Sequence, residues 1–171
     1  MWWVAFEQHD RIPILTYLNL GIHEAGHMIT YSASDLTNAL AGSIAQVLVP
    51  LLFVAYFLVR RKDWVAAGVC LAWAATSAME VSLYVADAPK QELDLIGDKH
   101  DWAFILGPEG YNAMDRAGAI ADQIRDVAMV GAFVGMALCA AAFVRGGKRR
   151  AQAEGDEPMV SASSATAASR P

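Results

Sequence analysis

The run His23-Glu24-Ala25-Gly26-His27 holds the residue types best able to do chemistry in this 171-residue chain. Imidazoles four positions apart sit one helical turn from each other on a shared face, where they can bind one metal ion. Glu24, beside the first, is then placed to take a proton from water, as the base of an H-E-x-x-H site does. The motif lies in an apolar segment of residues 12–31. A charged side chain at the centre of a membrane helix costs about 2.5–3.5 kcal/mol on insertion scales. Three ionisable residues together at such a place need a compensating partner, and a metal ion supplies one.

A catalytic zinc takes three protein ligands and leaves a fourth position open. His23 and His27 supply two. The run His100-Asp101-Trp102 offers Asp101 or His100 as the third, the other then orienting an imidazole by hydrogen bonding. Glu80 competes, since a carboxylate inside an apolar helix must find a metal, a proton or a hydrogen bond. Two polar stripes run at helical spacing: Thr16, Asn19, His23, His27 and Thr30, then Thr76, Glu80, Tyr84 and Asp87. Asn19, Glu80 and Asp87 are therefore expected to support the ligands or to replace one of them, with Asp87 ending its helix. Asp98 completes the loop cluster. Imidazole and carboxylate suit iron, cobalt or manganese as well; Zn2+ rests on the motif.

The elements that must position these groups are apolar blocks. The composition is 56% hydrophobic and 18% charged, and the apolar residues are concentrated in residues 39–59, 64–86 and 127–144. Each block can cross a hydrocarbon layer of about 30 Å at about 1.5 Å per residue. With the motif segment as a fourth crossing, the sequence predicts an all-α polytopic membrane protein. The expected architecture is a four-transmembrane-helix bundle with an outer loop of short helices. Spans fall at about 12–32, 39–59, 64–86 and 124–145 in one domain, 1–145. Residues 146–171, rich in Ala, Ser, Glu and Pro, read as a disordered tail.

Basic residues cluster at Arg60, Arg61 and Lys62 and again at Arg145, Lys148, Arg149 and Arg150. The positive-inside rule places both clusters, and with them both termini, in the cytoplasm. The loop 87–123, where acidic residues outnumber basic ones, then lies outside. No Lys or Arg precedes Arg11, so no cleaved signal peptide is expected. Trp2 and Trp3 read as interfacial aromatics, and His9 has no evident partner. Cys70 and Cys139 fall within spans, which argues against a disulfide or a cysteine zinc site. Gly131 and Gly135 form a small-xxx-small pair, Ala74, Ala75 and Ala78 allow similar close packing, and Pro50 should kink its span. The expected partners are the lipid bilayer and a membrane protein or peptide substrate. Self-association is compatible with so small a bundle, and nothing points to nucleic acid.

The run from Asn19 to His27, N-L-G-I-H-E-A-G-H, resembles the active-site helix of the site-2 protease family of intramembrane zinc metallopeptidases. More narrowly, the chain resembles small bacterial membrane proteins related to that family. In these an H-E-A-G-H helix is followed by a Y-x-A-D-A segment, here Tyr84 to Ala88, and an H-D-W tripeptide, here His100 to Trp102. The resemblance implies a bacterial inner-membrane location, zinc on His23, His27 and a distant aspartate, and Glu24 activating water. The family's Asn-Pro-x-x-Asp-Gly motif is absent, and Asp101 stands in for its aspartate. The first expectation is thus a membrane-embedded zinc-dependent hydrolase, a metallopeptidase of the H-E-x-x-H type. The alternative is a non-catalytic metal-binding membrane protein: a sensor, a chaperone or an inactive relative. An ion pathway through Glu80, His23 and His27 ranks third.

Overall fold

The computed structural model describes residues 13–93 and 99–155. The expectations for Trp2, Trp3, His9, Asp98 and residues 156–171 fall outside these. The described chain is helical, with no strand among the described residues. Its order is α1 (Pro13–Ile29), α2 (Asp35–Tyr56, extended by a π-helical turn, Phe57–Arg61), α3 (Trp64–Asp87), the short α4 (Asp101–Leu106), a 3-10 turn (Met114–Arg116) and α5 (Ala117–Gly155).

Short, well-capped connections make neighbours of consecutive helices. Ser34 caps α2 by accepting a hydrogen bond from the Thr37 backbone N–H. Asp63 caps α3, accepting from Val65 and Ala66 at 3.1 and 3.0 Å. Between α2 and α3 the chain reverses within two residues, because Lys62 takes a left-handed conformation with φ of 53°.

Three stretches are long and apolar enough to cross a membrane: Asp35–Arg61, Trp64–Asp87 and Met114–Lys148. They contain the expected second, third and fourth spans. The motif helix α1 is not among them; its 17 residues extend about 25 Å. Pro50 lies inside α2 with its ring fully buried. Instead of ending near residue 145, α5 runs on to Gly155, so residues 146–155 are helical rather than part of the expected tail. The Lys, Arg, Ala, Gln and Glu there are good helix formers, and a helix already nucleated extends cheaply through them.

Large apolar side chains face outward: Val127, Phe133 and Phe143 on α5 are 72%, 62% and 83% exposed. Buried positions include Asn19, Ser43, Gln46, Ser77, Ser82 and His100. This reverses the usual order of a water-soluble domain. An apolar cluster does form at one end, where Val81, Val85, Ala88, Ile105, Leu106, Ala117 and Ala121 pack together. It seats α4 against the ends of α3 and α5, and α4 carries Asp101.

Candidate metal centre

Asn19, His23 and His27 repeat every four residues along α1, and Asn38, Gly42 and Gln46 do the same along α2. Running antiparallel, the two rows meet in register. Gly26 brings the helices close, since a Cβ there would collide with the Ala41 carbonyl and lie 3.0 Å from the Ala45 side chain. Gly42 leaves room for the imidazoles: a Cβ on it would be 2.5 Å from His23 Nε2 and 2.6 Å from His27 Nε2.

Both Nε2 atoms lie 3.2 Å from Asp101 Oδ2. The three ligand atoms fall within 4.8 Å of one another, and their side chains are only 12–19% exposed. Of the two residues proposed from the loop, the structure brings Asp101 to the histidines. His100 is engaged elsewhere. Its Nδ1 accepts the Ala103 backbone N–H at 3.2 Å, capping α4, and its Nε2 lies 3.2 Å from Asp87 Oδ2. Asp87 ends α3, as expected, and also accepts from the Glu92 and Leu93 backbone at 3.0 and 3.1 Å.

Each of the three side chains is held from behind. His27 Nδ1 is 2.8 Å from the Asn38 carbonyl, which can only accept, so Nδ1 carries the proton. Asn38 returns the contact, donating its side-chain N–H to the His27 carbonyl at 2.7 Å near the end of α1. His23 Nδ1 faces Gln46 Oε1 at 3.3 Å. The Tyr84 hydroxyl accepts from the Asp101 backbone N–H at 3.0 Å, lies 3.4 Å from Asp101 Oδ2, and its ring stacks on His100 with centroids 4.3 Å apart. Trp102 donates its indole N–H to Ser43 at 3.0 Å, pinning α4 to α2.

With Nδ1 protonated on a neutral ring, Nε2 presents a lone pair. In that state two lone pairs and a carboxylate oxygen converge, and one divalent cation would satisfy all three; with a proton on either Nε2 the same contact is instead a hydrogen bond to Asp101. The spacing also suits zinc. Bonds of about 2.0–2.2 Å set tetrahedral ligand separations of about 3.3–3.6 Å, against 3.2 Å from each histidine Nε2 to Asp101 Oδ2, with all three atoms within 4.8 Å. The residues fit the metal.

Comparison with protein-family models, curated proteins and solved structures gives no match.

Glu24 follows His23 on the exposed side of α1. Glu80 is not in the ligand group. It accepts from Asn19 and Gln46 at 2.8 and 2.6 Å, one layer behind His23. Sequence reasoning overlooked Gly42, Gln46 and Trp73 as parts of the site. A signal was present: Asn38, Gly42 and Gln46 form a small and polar row at four-residue intervals in an otherwise apolar span.

Proposed function

We propose that this protein is a membrane-embedded zinc-dependent hydrolase, most simply a metallopeptidase related to the site-2 protease family. The observation that carries the reading is the convergence of His23 Nε2, His27 Nε2 and Asp101 Oδ2 within 4.8 Å of one another. His23, His27 and Asp101 would hold the metal, and the backbone carbonyl of Asn38, Gln46 and Tyr84 keep them oriented. Zinc bound there supplies Lewis acidity, lowering the pKa of water and polarising a scissile carbonyl. Glu24, on the open side of α1, receives the proton that water gives up and passes it to the leaving amine. The surrounding helices limit the entry of bulk water. Their outward apolar side chains support insertion in a bilayer with α1 as a fourth, shorter crossing. In that orientation the basic clusters after α2 and on α5 face the cytoplasm and α4 lies on the outer side.

The test is cleavage of a reporter with a transmembrane segment, co-reconstituted in liposomes with zinc-loaded protein. Hydrolysis by the wild type that is lost in Glu24→Gln, with zinc retained, supports the mechanism. Equal turnover by both proteins overturns it. The second reading, a metal-binding membrane protein without catalysis, draws on the fact that the three ligands form a complete group without Glu24. It predicts that Glu24→Gln leaves both metal content and every measured phenotype unchanged.

A further inference from the structure

Behind His23 a chain of hydrogen bonds crosses three helices and ends on a group that can only donate. The Trp73 indole N–H donates to Asn19 Oδ1 at 2.8 Å, and the Ser77 hydroxyl joins it at 3.3 Å. An indole N–H cannot accept, so the Asn19 amide presents its oxygen to Trp73 and its nitrogen to Glu80, at 2.8 Å from Oε2. The Gln46 amide nitrogen donates to the same Oε2 at 2.6 Å, leaving Gln46 Oε1 to accept from His23 Nδ1. Followed from the metal end, the order is the same. If His23 Nε2 binds the metal, Nδ1 carries the proton, Gln46 offers its oxygen, and its nitrogen turns to Glu80. Both ends of the chain thus demand one orientation of each amide and an acceptor at Glu80. Asn19 is 1% exposed and Gln46 7%, so water cannot readily replace any link.

We propose that Gln46 and Glu80 are positioning residues for the metal ligand His23: Glu80 fixes the Gln46 amide, which fixes the imidazole with Nε2 free for the metal. The proposal rests on the metal-site reading above. A carboxylate two groups behind the ligand gives a directed, charge-assisted support that no apolar side chain at either position reproduces.

Cobalt(II) is the probe, because its visible absorption reports ligand geometry as well as affinity. The full-length protein in detergent is titrated as wild type, Gln46→Leu, the swap Gln46→Glu with Glu80→Gln, and Ser82→Ala. Ser82 is buried on the same helix as Glu80, and its side-chain hydrogen bonds among the described residues go to Met79 of its own turn. Gln46→Leu should weaken cobalt binding about 10–100-fold and change the absorption envelope. The swap keeps an acceptor facing His23 Nδ1, while the amide at position 80 can match either Asn19 or position 46, but not both, through the atom that in the wild type accepts from both. Affinity should therefore return part of the way toward wild type with a displaced spectrum. Ser82→Ala should match wild type in both. Wild-type affinity and spectrum in Gln46→Leu would overturn the positioning role and leave the metal site standing. No cobalt bound by wild type would overturn the metal reading itself. If Gln46→Leu does not fold, the swap decides: retained affinity with a shifted spectrum supports the proposal, and loss of binding in a folded swap overturns it.

Discussion

Where α1 meets α2, polar side chains repeated every four residues join the small residues Gly26 and Gly42; where α3 meets α5, contact is made by small residues without a polar row. In the first region the hydrogen-bonding groups of His23, His27, Asn38 and Gln46 are committed to named partners. The second rests on shape. A Cβ on Gly68 would lie 2.6 Å from Cys139 Sγ and 2.7 Å from the Gly135 carbonyl, and one on Gly135 would lie 2.8 Å from the Gly68 carbonyl. Gly131 faces the Ala75 methyl at ordinary contact distance. Close backbone approach through small residues is how apolar helices associate without a hydrophobic driving force. The two regions divide the work, one holding a constellation in fixed orientation and the other holding the scaffold together.

That division can be broken on either side. The largest effect is expected from His27→Ala or Asp101→Ala, which should take zinc content, measured by mass spectrometry on purified protein, from about one ion per chain to none. Gly42→Ala should follow. Its methyl group meets both imidazoles, so metal affinity should fall by at least the roughly 10–100-fold typical of a disturbed outer partner. Gly68→Ala is the matching change in the scaffold. It should cost about 1–3 kcal/mol in stability, read as a lower unfolding midpoint, with metal stoichiometry unchanged. Loss of zinc in a folded Gly68→Ala protein would show that the two regions are not separable.

His100→Ala sharpens the comparison, because it stands beside a ligand while belonging to the scaffold. Loss of its cap on α4 should lower stability by about 0.5–2 kcal/mol and spare zinc content. Metal lost from a folded His100→Ala protein would return His100 to the ligand set. Trp102→Phe should have the smallest effect, about 0.5–1.5 kcal/mol for the hydrogen bond to Ser43, measured as the same midpoint shift.

The three longest helices were legible because each holds a long apolar block with a polar boundary. Ser34 and Asp63 mark two starts, and the basic run Arg60, Arg61 and Lys62 marks an end. The continuation of α5 to Gly155 was less so, since Ala, Lys, Arg and Glu in a polar stretch fit both a solvated helix and a tail. Within the site, His23, His27 and Glu24 follow from spacing on one helix, which local geometry dictates. Gln46 was passed over because a single amide in an apolar span has no meaning until its neighbour is known.

The sequence by itself determined which residues could bind a metal, that two of them share a helix face, and that three helices are apolar enough to cross a membrane. Only the tertiary structure showed which of Asp101, His100 and Glu80 lies beside the two histidines. All three are ionisable and lie toward one end of the molecule, so type and spacing cannot rank them. That placement came from long-range packing. The Val81–Val85–Ile105–Leu106 cluster seats α4 so that Asp101 reaches the two Nε2 atoms. His100 is turned to cap α4 and meet Asp87. Glu80 is held one layer back by two amides. Such competition for partners is decided by contacts between different helices, up to 78 positions apart between His23 and Asp101, which no local pattern encodes.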